Sequence, residues 1–312
     1  MPRSGALLSI EQRIGISTHF LPATHGESIH DAIRMVAEAG FAGFEIVPSL
    51  DQAQIGYPAN IANVGIDLFE AQPEDIAQLK RSLGAFRWVT VHAPHIGWNQ
   101  ASVNRHLRRL TWEYYDRCLE FAAEIGAVAL SYHLGGPTPG YIRPESDRLE
   151  LNLAYAEHIL PLARQAGIPV GYEAGRLDEL KWVADRLPGW GINLDIGHAY
   201  MYAHTDERFL AYIDEFAGSE ARANRIVEIH HNGVNHYWGQ YMEHQPPHMN
   251  NTIDFQGVYE RLRDTSYAGP IVCEIQGNDI AQVIRHCQES KDMIAGIWRG
   301  TLRMRERWYL PA

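Results

Sequence analysis

Apolar and polar positions along the chain follow two alternating spacings. Short apolar runs rich in β-branched residues predict strands, and longer segments with apolar residues three or four positions apart predict helices. The predicted strands are residues 13–18, 43–47, 88–92, 127–133, 168–173, 191–195, 225–230 and 270–275. Each is followed by a helical segment, which predicts a parallel α/β sheet, and eight such repeats predict a (β/α)8 barrel, the TIM barrel.

The helix boundaries have signals of their own. Ser28 is a suitable N-cap for the first helix, and Gly40 ends it. The second helix opens at Pro73, which two acidic residues follow. The remaining helices are predicted over residues 102–126, 145–166, 177–187, 206–216, 255–263 and 279–295. The longest segment without a pattern is 232–252, and irregular loops of this length inside a domain are usually functional.

The length of 312 residues, 46% of them hydrophobic, suits one large barrel with long loops. We expect a single barrel domain over residues 1–296. Residues 297–312 are basic and aromatic and lie beyond the eighth repeat. We expect them to form a short C-terminal tail that packs on a barrel face or on a partner subunit of a homo-oligomer.

Charge and cysteine content narrow the function classes. The formal charge is −11, which disfavours capture of a nucleic acid backbone. The three cysteines form no C-x-x-C pair, which predicts reduced thiols and a cytoplasmic protein. The N-terminal apolar stretch is too short for a signal peptide and no apolar run could span a bilayer, so we expect no membrane association.

Six segments end an apolar run with residue types that ligate metals. They read VTVHAPH, ALSYHLGG, IPVGYEAG, GINLDIGHAY, IVEIHHNG and IVCEIQG. A β/α barrel brings the carboxyl ends of its strands to one face, where active sites lie. Carboxylates and imidazoles gathered there would be poorly solvated unless a cation held them. The sequence therefore predicts a metal site at the mouth of the barrel.

Four of these strand ends supply the predicted metal ligands. The ligands are Glu173, Asp195, His230 and Glu274. Their oxygen and nitrogen atoms suit a divalent Mn, Mg, Co or Zn ion. His92 and His133 either complete a second metal position that shares Glu173 or contact the substrate.

Other polar residues near this face have weaker signals. Trp98 and His248 lie in its loops and are candidates for contact with the substrate, although an aromatic ring there serves equally well as a loop anchor. His231 follows a predicted ligand in a strand and should therefore point away, toward the helices. His19 and His95 are interpreted as structural residues.

The series VHAPH, YHLGG, YEAG, LDIGHAY, IHHNG and CEIQG resembles the xylose-isomerase-like TIM-barrel superfamily over roughly residues 13–295. That group holds sugar isomerases, ketose 3-epimerases, hydroxypyruvate isomerases, inosose and dehydroshikimate dehydratases, and apurinic endonucleases of the endonuclease IV type. The resemblance implies a single-metal quartet in which Glu173 and Glu274 also act as acid and base on opposite faces of the substrate. His198, in the LDIGH motif, is a third catalytic candidate.

The function implied is a divalent-metal-dependent isomerase or epimerase. Its substrate would be a sugar or related polyhydroxy carbonyl compound, and the reaction would pass through a metal-stabilised enediolate. A lyase or dehydratase acting on the same substrate class is the first alternative. A non-catalytic member that binds a sugar-like ligand is another, and nothing in the sequence favours it.

A di- or trinuclear zinc phosphoesterase of the endonuclease IV type is the remaining alternative. There, by resemblance, His92 and His133 would bind a second zinc and His198 part of a third. That third site uses an Asp-x-His pair after strand seven, where this chain has Glu243-His244 and His248. The epimerases in turn usually have an arginine soon after the strand-seven histidine, and this chain has none between His230 and Arg261.

Overall fold

Ten strands lie within the part of the chain that the structure, a computed structural model, describes: residues 8–48, 63–136, 145–173, 175–218, 225–237 and 239–304. They are β1 (Ile14–Ser17), β2 (Gly43–Ile46), β3 (Trp88–His92), β4 (Leu130–His133), β5 (Val170–Glu173), β6 (Gly191–Asp195), β7 (Ile226–His231), β8 (Gly233–Tyr237), β9 (Gln240–Gln245) and β10 (Ile271–Cys273). Eight of them form a closed parallel barrel in the order β1-β10-β7-β6-β5-β4-β3-β2. The predicted (β/α)8 barrel is therefore confirmed.

Nine α-helices connect these strands within the same described ranges. They are α1 (Ile29–Glu38), α2 (Pro73–Leu83), α3 (Arg105–Ile125), α4 (Glu145–Ala166), α5 (Leu177–Arg186), α6 (Ile196–Ala203), α7 (Asp206–Ile213), α8 (Phe255–Arg263) and α9 (Ile280–Arg299). The predicted cap of α1 is present, because the Ser28 hydroxyl accepts from the Asp31 amide while the Asp31 carboxylate accepts from the Ser28 amide. No helix in the described ranges is long and apolar enough to cross a membrane.

The structure differs from the predicted pattern at three places. Residues 232–252 are not an irregular loop, because β8 and β9 pair there as an antiparallel hairpin. An additional helix, α6, begins directly after β6, since Asp195 both ends the strand and caps the helix. Helix α9 continues to Arg299, and Trp298 stacks on the Arg13 guanidinium at 4.9 Å. Residues 305–312 of the predicted tail lie outside the described residues, so the domain boundary at 296 stays a prediction.

The inside of the barrel changes from apolar to polar toward its mouth. Near the amino ends of the strands the Trp88 indole covers Gly43 so closely that a Cβ there would overlap it. The next layer holds buried polar side chains, with Ser131 on β4 donating to Glu228 on β7 at 2.9 Å across the interior. The functional candidates lie above this layer, at the carboxyl ends of the strands.

Candidate metal centre

The four predicted ligands converge on one point in the mouth of the barrel. His230 Nδ1 lies 3.1 Å from Glu173 Oε2, 3.2 Å from Glu274 Oε2 and 4.0 Å from Asp195 Oδ2. All four side chains are buried, and their ligand atoms lie within 4.8 Å of one another. They come from β5, β6, β7 and the residue after β10, so closure of the barrel is what assembles them.

Three atoms of the quartet lack a hydrogen-bond partner in the described part of the chain and are free to bind a cation. Glu173 Oε1, His230 Nδ1 and Glu274 Oε1 are buried and make no hydrogen bond within the described residues. Buried polar atoms without partners are rare in folded proteins, and they often mark a place where an ion binds. Carboxylate oxygens with one imidazole nitrogen suit a divalent metal of the Mn, Co or Zn type. The residues present therefore fit the ion that the sequence predicted.

The charges of the site support the same conclusion. Burial opposes the charged form of His230, but the carboxylates of Glu274, Glu173 and Glu45 outweigh it and raise the pKa of His230 well above its usual value. Burial likewise opposes the charge of Glu173, yet the surrounding imidazoles hold its pKa well below the usual range. Protons on imidazoles thus balance the carboxylates, and a metal ion would displace them, which makes its binding pH-dependent.

His92 and His133 form a second group that shares Glu173 with the quartet. His92 Nε2 lies 2.7 Å from Glu173 Oε2, and His133 Nε2 lies 3.4 Å from Oε1. Burial lowers the pKa of His92, but the Glu173 carboxylate outweighs this and raises it to about 9. Burial lowers the pKa of His133 well below its usual value. Their role as metal ligands or substrate contacts stays a prediction.

A third group joins helix α6 to the hairpin. His198 Nδ1 lies 3.3 Å from Asp195 Oδ1, and its Nε2 lies 3.1 Å from Glu243 Oε2. His198, Glu243 and His244 are close enough to share an ion. The LDIGH motif accounts for this geometry: Asp195 accepts from the His198 amide at 2.6 Å, and Gly197 lets Asn232 approach where a Cβ would overlap it.

The remaining predicted residues lie in different places. Trp98 stacks on Tyr114, with ring centres 4.4 Å apart, and packs against the core. His248 is exposed and pairs with Glu289 of α9 at 2.7 Å. Their contact with a substrate stays a prediction. His231 points toward the helices as expected, and its two ring nitrogens contact the hydroxyls of Tyr259 and Ser290.

Two histidines interpreted as structural lie beside the candidate site. His19 Nδ1 lies 3.9 Å from Glu274 Oε1, and the ring of His95 stacks on His133 with centres 3.8 Å apart. Burial lowers the pKa of His95 to about 3, with the charge of His92 adding to the effect, so its ring is neutral at ordinary pH. The wall of the site therefore carries more imidazoles than the strand-end pattern predicted.

Three buried polar residues beneath the quartet were missed as well. Glu45 Oε2 lies 3.1 Å from His230 Nε2, and Asn193 donates to Glu173 Oε2 at 3.0 Å. Glu228 lies on the same strand, two residues before His230. A signal existed, because Asn193 and Glu228 precede the ligands Asp195 and His230 by two positions, which is the same face of a strand.

Comparison with known proteins agrees with this architecture. The sequence model of the family described as xylose isomerase-like TIM barrel matches residues 33–294. The chain belongs to this family. A relative, uncharacterized protein MJ1311 of Methanocaldococcus jannaschii, is 25% identical over 309 residues, covering 91% of this chain and 89% of the relative.

Solved structures share the fold at low sequence identity. A D-tagatose 3-epimerase-like protein superposes with a TM-score of 0.70 at 21% identity, covering 93% of this chain and all of the other. The IolI protein with a bound zinc atom superposes with a TM-score of 0.67 at 10% identity, covering 94% of this chain and all of the other. At these identities the likeness concerns the fold, and the chemistry has to be argued from the residues.

Proposed function

We propose that this protein is a divalent-metal-dependent isomerase or epimerase acting on a sugar or a related polyhydroxy carbonyl compound. The observation that carries the proposal is the placement of Glu173 and Glu274. Their Oε2 atoms lie 3.1 and 3.2 Å from the same nitrogen of His230, although the residues come from strands on different sides of the barrel. Two carboxylates that share one centre and approach it from two sides suit removal of a proton on one face and its return on the other.

The quartet Glu173, Asp195, His230 and Glu274 would hold the ion. When bound, a divalent ion acts as a Lewis acid that polarises a carbonyl and makes the neighbouring C–H more acidic. Asp195 is fixed for this role, because Asn232 donates to its Oδ2 at 2.8 Å and the His198 amide donates to Oδ1. A ligand held in this way keeps its geometry when the substrate arrives.

The protein side chains would carry out the proton transfers. Glu173 and Glu274 are the acid and base, and both are almost fully buried, so bulk water does not compete for the proton. His198 Nδ1 lies 3.4 Å from Glu173 Oε1, where it can donate to a substrate oxygen or steady the carboxylate. The hairpin side chains Glu243 and His244 lie beside His198, and the buried His244 would limit the access of solvent to it.

The lining of the site favours an uncharged polyhydroxy substrate. Burial lowers the pKa of His19 and His133 well below the usual value, so these rings are neutral and can each donate and accept one hydrogen bond. Neutral rings of this kind suit the hydroxyls of a substrate better than a negatively charged phosphate. The sugar named in the D-tagatose 3-epimerase-like structure supports this substrate class, and the zinc atom in the IolI structure supports a metal.

We propose that the protein works in a reducing compartment, the cytoplasm. The three cysteines, Cys118, Cys273 and Cys287, are all free and buried. Free thiols are typical of the cytoplasm, where disulfides rarely persist.

One specific observation favours a second candidate, the zinc phosphoesterase. Two further groups adjoin the quartet, one of His92 and His133 with Glu173, and one of His198 with Glu243 and His244. Three adjacent groups of this kind suit several zinc ions. The Glu243-His244 pair, which departs from the Asp-x-His spacing in the sequence, nevertheless reaches His198 in the fold.

Exchange of substrate hydrogen with solvent tests the proposal. Protein loaded with Mn, Co or Zn would be incubated in D2O with a panel of ketoses and cyclic polyol ketones. We expect deuterium at the carbon beside the carbonyl and formation of an epimer or isomer; loss of water instead would identify the lyase. Glu173→Gln and Glu274→Gln should each reduce exchange by about 10²- to 10⁴-fold. Glu113→Gln, an exposed residue of α3, is the control.

Absence of exchange with every metal and substrate would overturn the proposal. Hydrolysis of bis(p-nitrophenyl) phosphate by the zinc-loaded protein, lost in Glu173→Gln, would then support the phosphoesterase.

A further inference from the structure

Two carboxylates, Glu45 and Glu228, lie fully buried inside the barrel beneath the proposed metal ligands. Burial of a carboxylate is costly unless a partner compensates it. Glu228 accepts from Ser131 at 2.9 Å. Glu45 instead faces His230, with 3.1 Å between Glu45 Oε2 and His230 Nε2. The two residues lie at the same depth, but Glu228 Oε2 is farther from the same nitrogen, at 3.9 Å, and the Ser131 hydroxyl contacts that oxygen. Glu45 is therefore the nearer partner of His230.

The two ring nitrogens of His230 have different surroundings. Its Nδ1 is directed at Glu173 and Glu274, and its Nε2 is directed at Glu45. A neutral imidazole binds a metal through its bare nitrogen and carries its proton on the other. For Nδ1 to serve as the ligand, Nε2 has to hold the proton, and an acceptor at Nε2 favours that tautomer.

Asn193 is the competing partner at the same nitrogen. Its Nδ2 lies 2.8 Å from His230 Nε2 and also donates to Glu173 Oε2 at 3.0 Å. An amide donor at Nε2 would favour the opposite tautomer, with the proton on Nδ1. A hydrogen bond to a carboxylate is about twice as strong as one between neutral groups, so Glu45 should decide the outcome and leave the amide to Glu173.

We propose that Glu45 is a positioning residue, which holds His230 with its proton on Nε2 and thereby presents Nδ1 to the metal ion. The inference rests on the proposed metal centre and deepens it, because it assigns a role to a residue outside the ligand set. Glu45 is on β2 and His230 on β7, 185 positions apart, so only the closed barrel brings them together.

Metal affinity of the protein itself tests the inference, by competition with a chromophoric zinc chelator. Glu45→Gln keeps the shape of the side chain and removes its charge, and it should weaken zinc binding by about 10- to 100-fold. The matched control is Glu228→Gln at the same depth. Burial raises the pKa of Glu228 to about 8 and its Oε2 lies 3.9 Å from His230 Nε2, so this change should keep zinc affinity within about threefold of the wild type. The visible spectrum of the cobalt-loaded protein should change in Glu45→Gln and not in the control.

A double-mutant cycle separates positioning from simple charge loss. If Glu45 acts through His230, then Glu45→Gln should have almost no effect on zinc affinity in a His230→Ala background. An equal loss in both backgrounds, or equal losses in Glu45→Gln and Glu228→Gln, would overturn the inference. Wild-type zinc affinity in Glu45→Gln would also overturn the inference. The proposed function would not be affected by that result, provided that the wild type binds metal.

Nitrogen-15 NMR of the zinc-loaded wild type gives a readout that needs no folded Glu45 variant. We expect the proton of His230 on Nε2 and the metal on Nδ1, with the signals identified by their loss in His230→Ala. A proton on Nδ1 would overturn the inference. Failure of the wild type to bind zinc or cobalt at all would overturn the proposed metal centre and the positioning role with it.

Discussion

Glu243 Oε2 lies 3.1 Å from His198 Nε2, so strand β9 of the hairpin contacts the first turn of the helix that follows β6. Burial opposes the charge of Glu243, but the hydrogen bond and charge of His198 outweigh it and lower the pKa of Glu243 to about 2. The contact therefore joins two charged groups, and it holds the hairpin over the mouth of the barrel.

Glu243→Gln should loosen the hairpin and weaken substrate binding. The contact is an ion pair, and Glu243 is one third exposed, so it contributes about 1 kcal/mol or less and we expect the KM to rise by less than about tenfold. Hydrogen exchange of residues 233–245 should become faster. The control is Tyr237→Phe, an exposed change on the same hairpin. Unchanged exchange in Glu243→Gln would contradict the role of the contact.

Gly43→Ala should destabilise the barrel. A Cβ on Gly43 would overlap the Trp88 indole, whose Nε1 is held by a hydrogen bond to the Gln12 carbonyl at 2.9 Å. Overpacking of this kind typically costs about 1–3 kcal/mol, which urea unfolding would measure. Gly136→Ala is the matched control, because a Cβ there meets open space. Equal midpoints for the two variants would contradict the packing described.

His231 should make the protein sensitive to acid. Burial lowers its pKa to about 3, and the charge of Asp195 offsets this only in part. In the unfolded chain this histidine has an ordinary pKa of about 6.5, so as the pH falls the unfolded state takes up the proton before the folded state does. The contribution of His231 to the free energy of unfolding is therefore fully present above about pH 6.5 and is lost as the pH falls toward 3. One such group contributes a slope of up to about 1.4 kcal/mol per pH unit.

His231→Gln should therefore show a shallower loss of stability between pH 6.5 and 4. Urea unfolding of both proteins with chelator present, at several pH values in this range, measures the two slopes. The variant will also be less stable at pH 7, because the hydroxyls of Tyr259 and Ser290 lose their imidazole partner. Parallel slopes would show that His231 titrates normally in the folded state.

The fold and the quartet could be predicted because both follow from simple repeats. Alternating spacings give the barrel, and the barrel places residues such as Glu173 and His230 at one face. Glu45 could not be assigned in this way, because its partner is 185 positions distant and a lone acid in an apolar strand can serve several roles. The metal-site contacts of His19 and His95 depend on loop conformations that the sequence spacing does not fix.

The hairpin and α6 were missed for local reasons. The segment QYMEHQ does not alternate apolar and polar residues in the way that predicts a strand. The reason is that one face of β9 is exposed and the other carries polar residues that contact the site. Helix α6 has no loop before it, because Asp195 is at once the last residue of β6 and the N-cap. Asp195 is a candidate ligand as well as the capping residue, so the sequence does not reveal that a helix begins there.

The most direct test of the account is the number of metal ions bound per chain, measured on protein purified without chelator. We compare the wild type with Asp195→Ala and with the double variant His92→Ala, His133→Ala. One divalent ion per chain, lost in Asp195→Ala and retained in the double variant, is the result we predict for a mononuclear isomerase. Two or three ions per chain that fall in the double variant would contradict it and favour phosphoester hydrolysis.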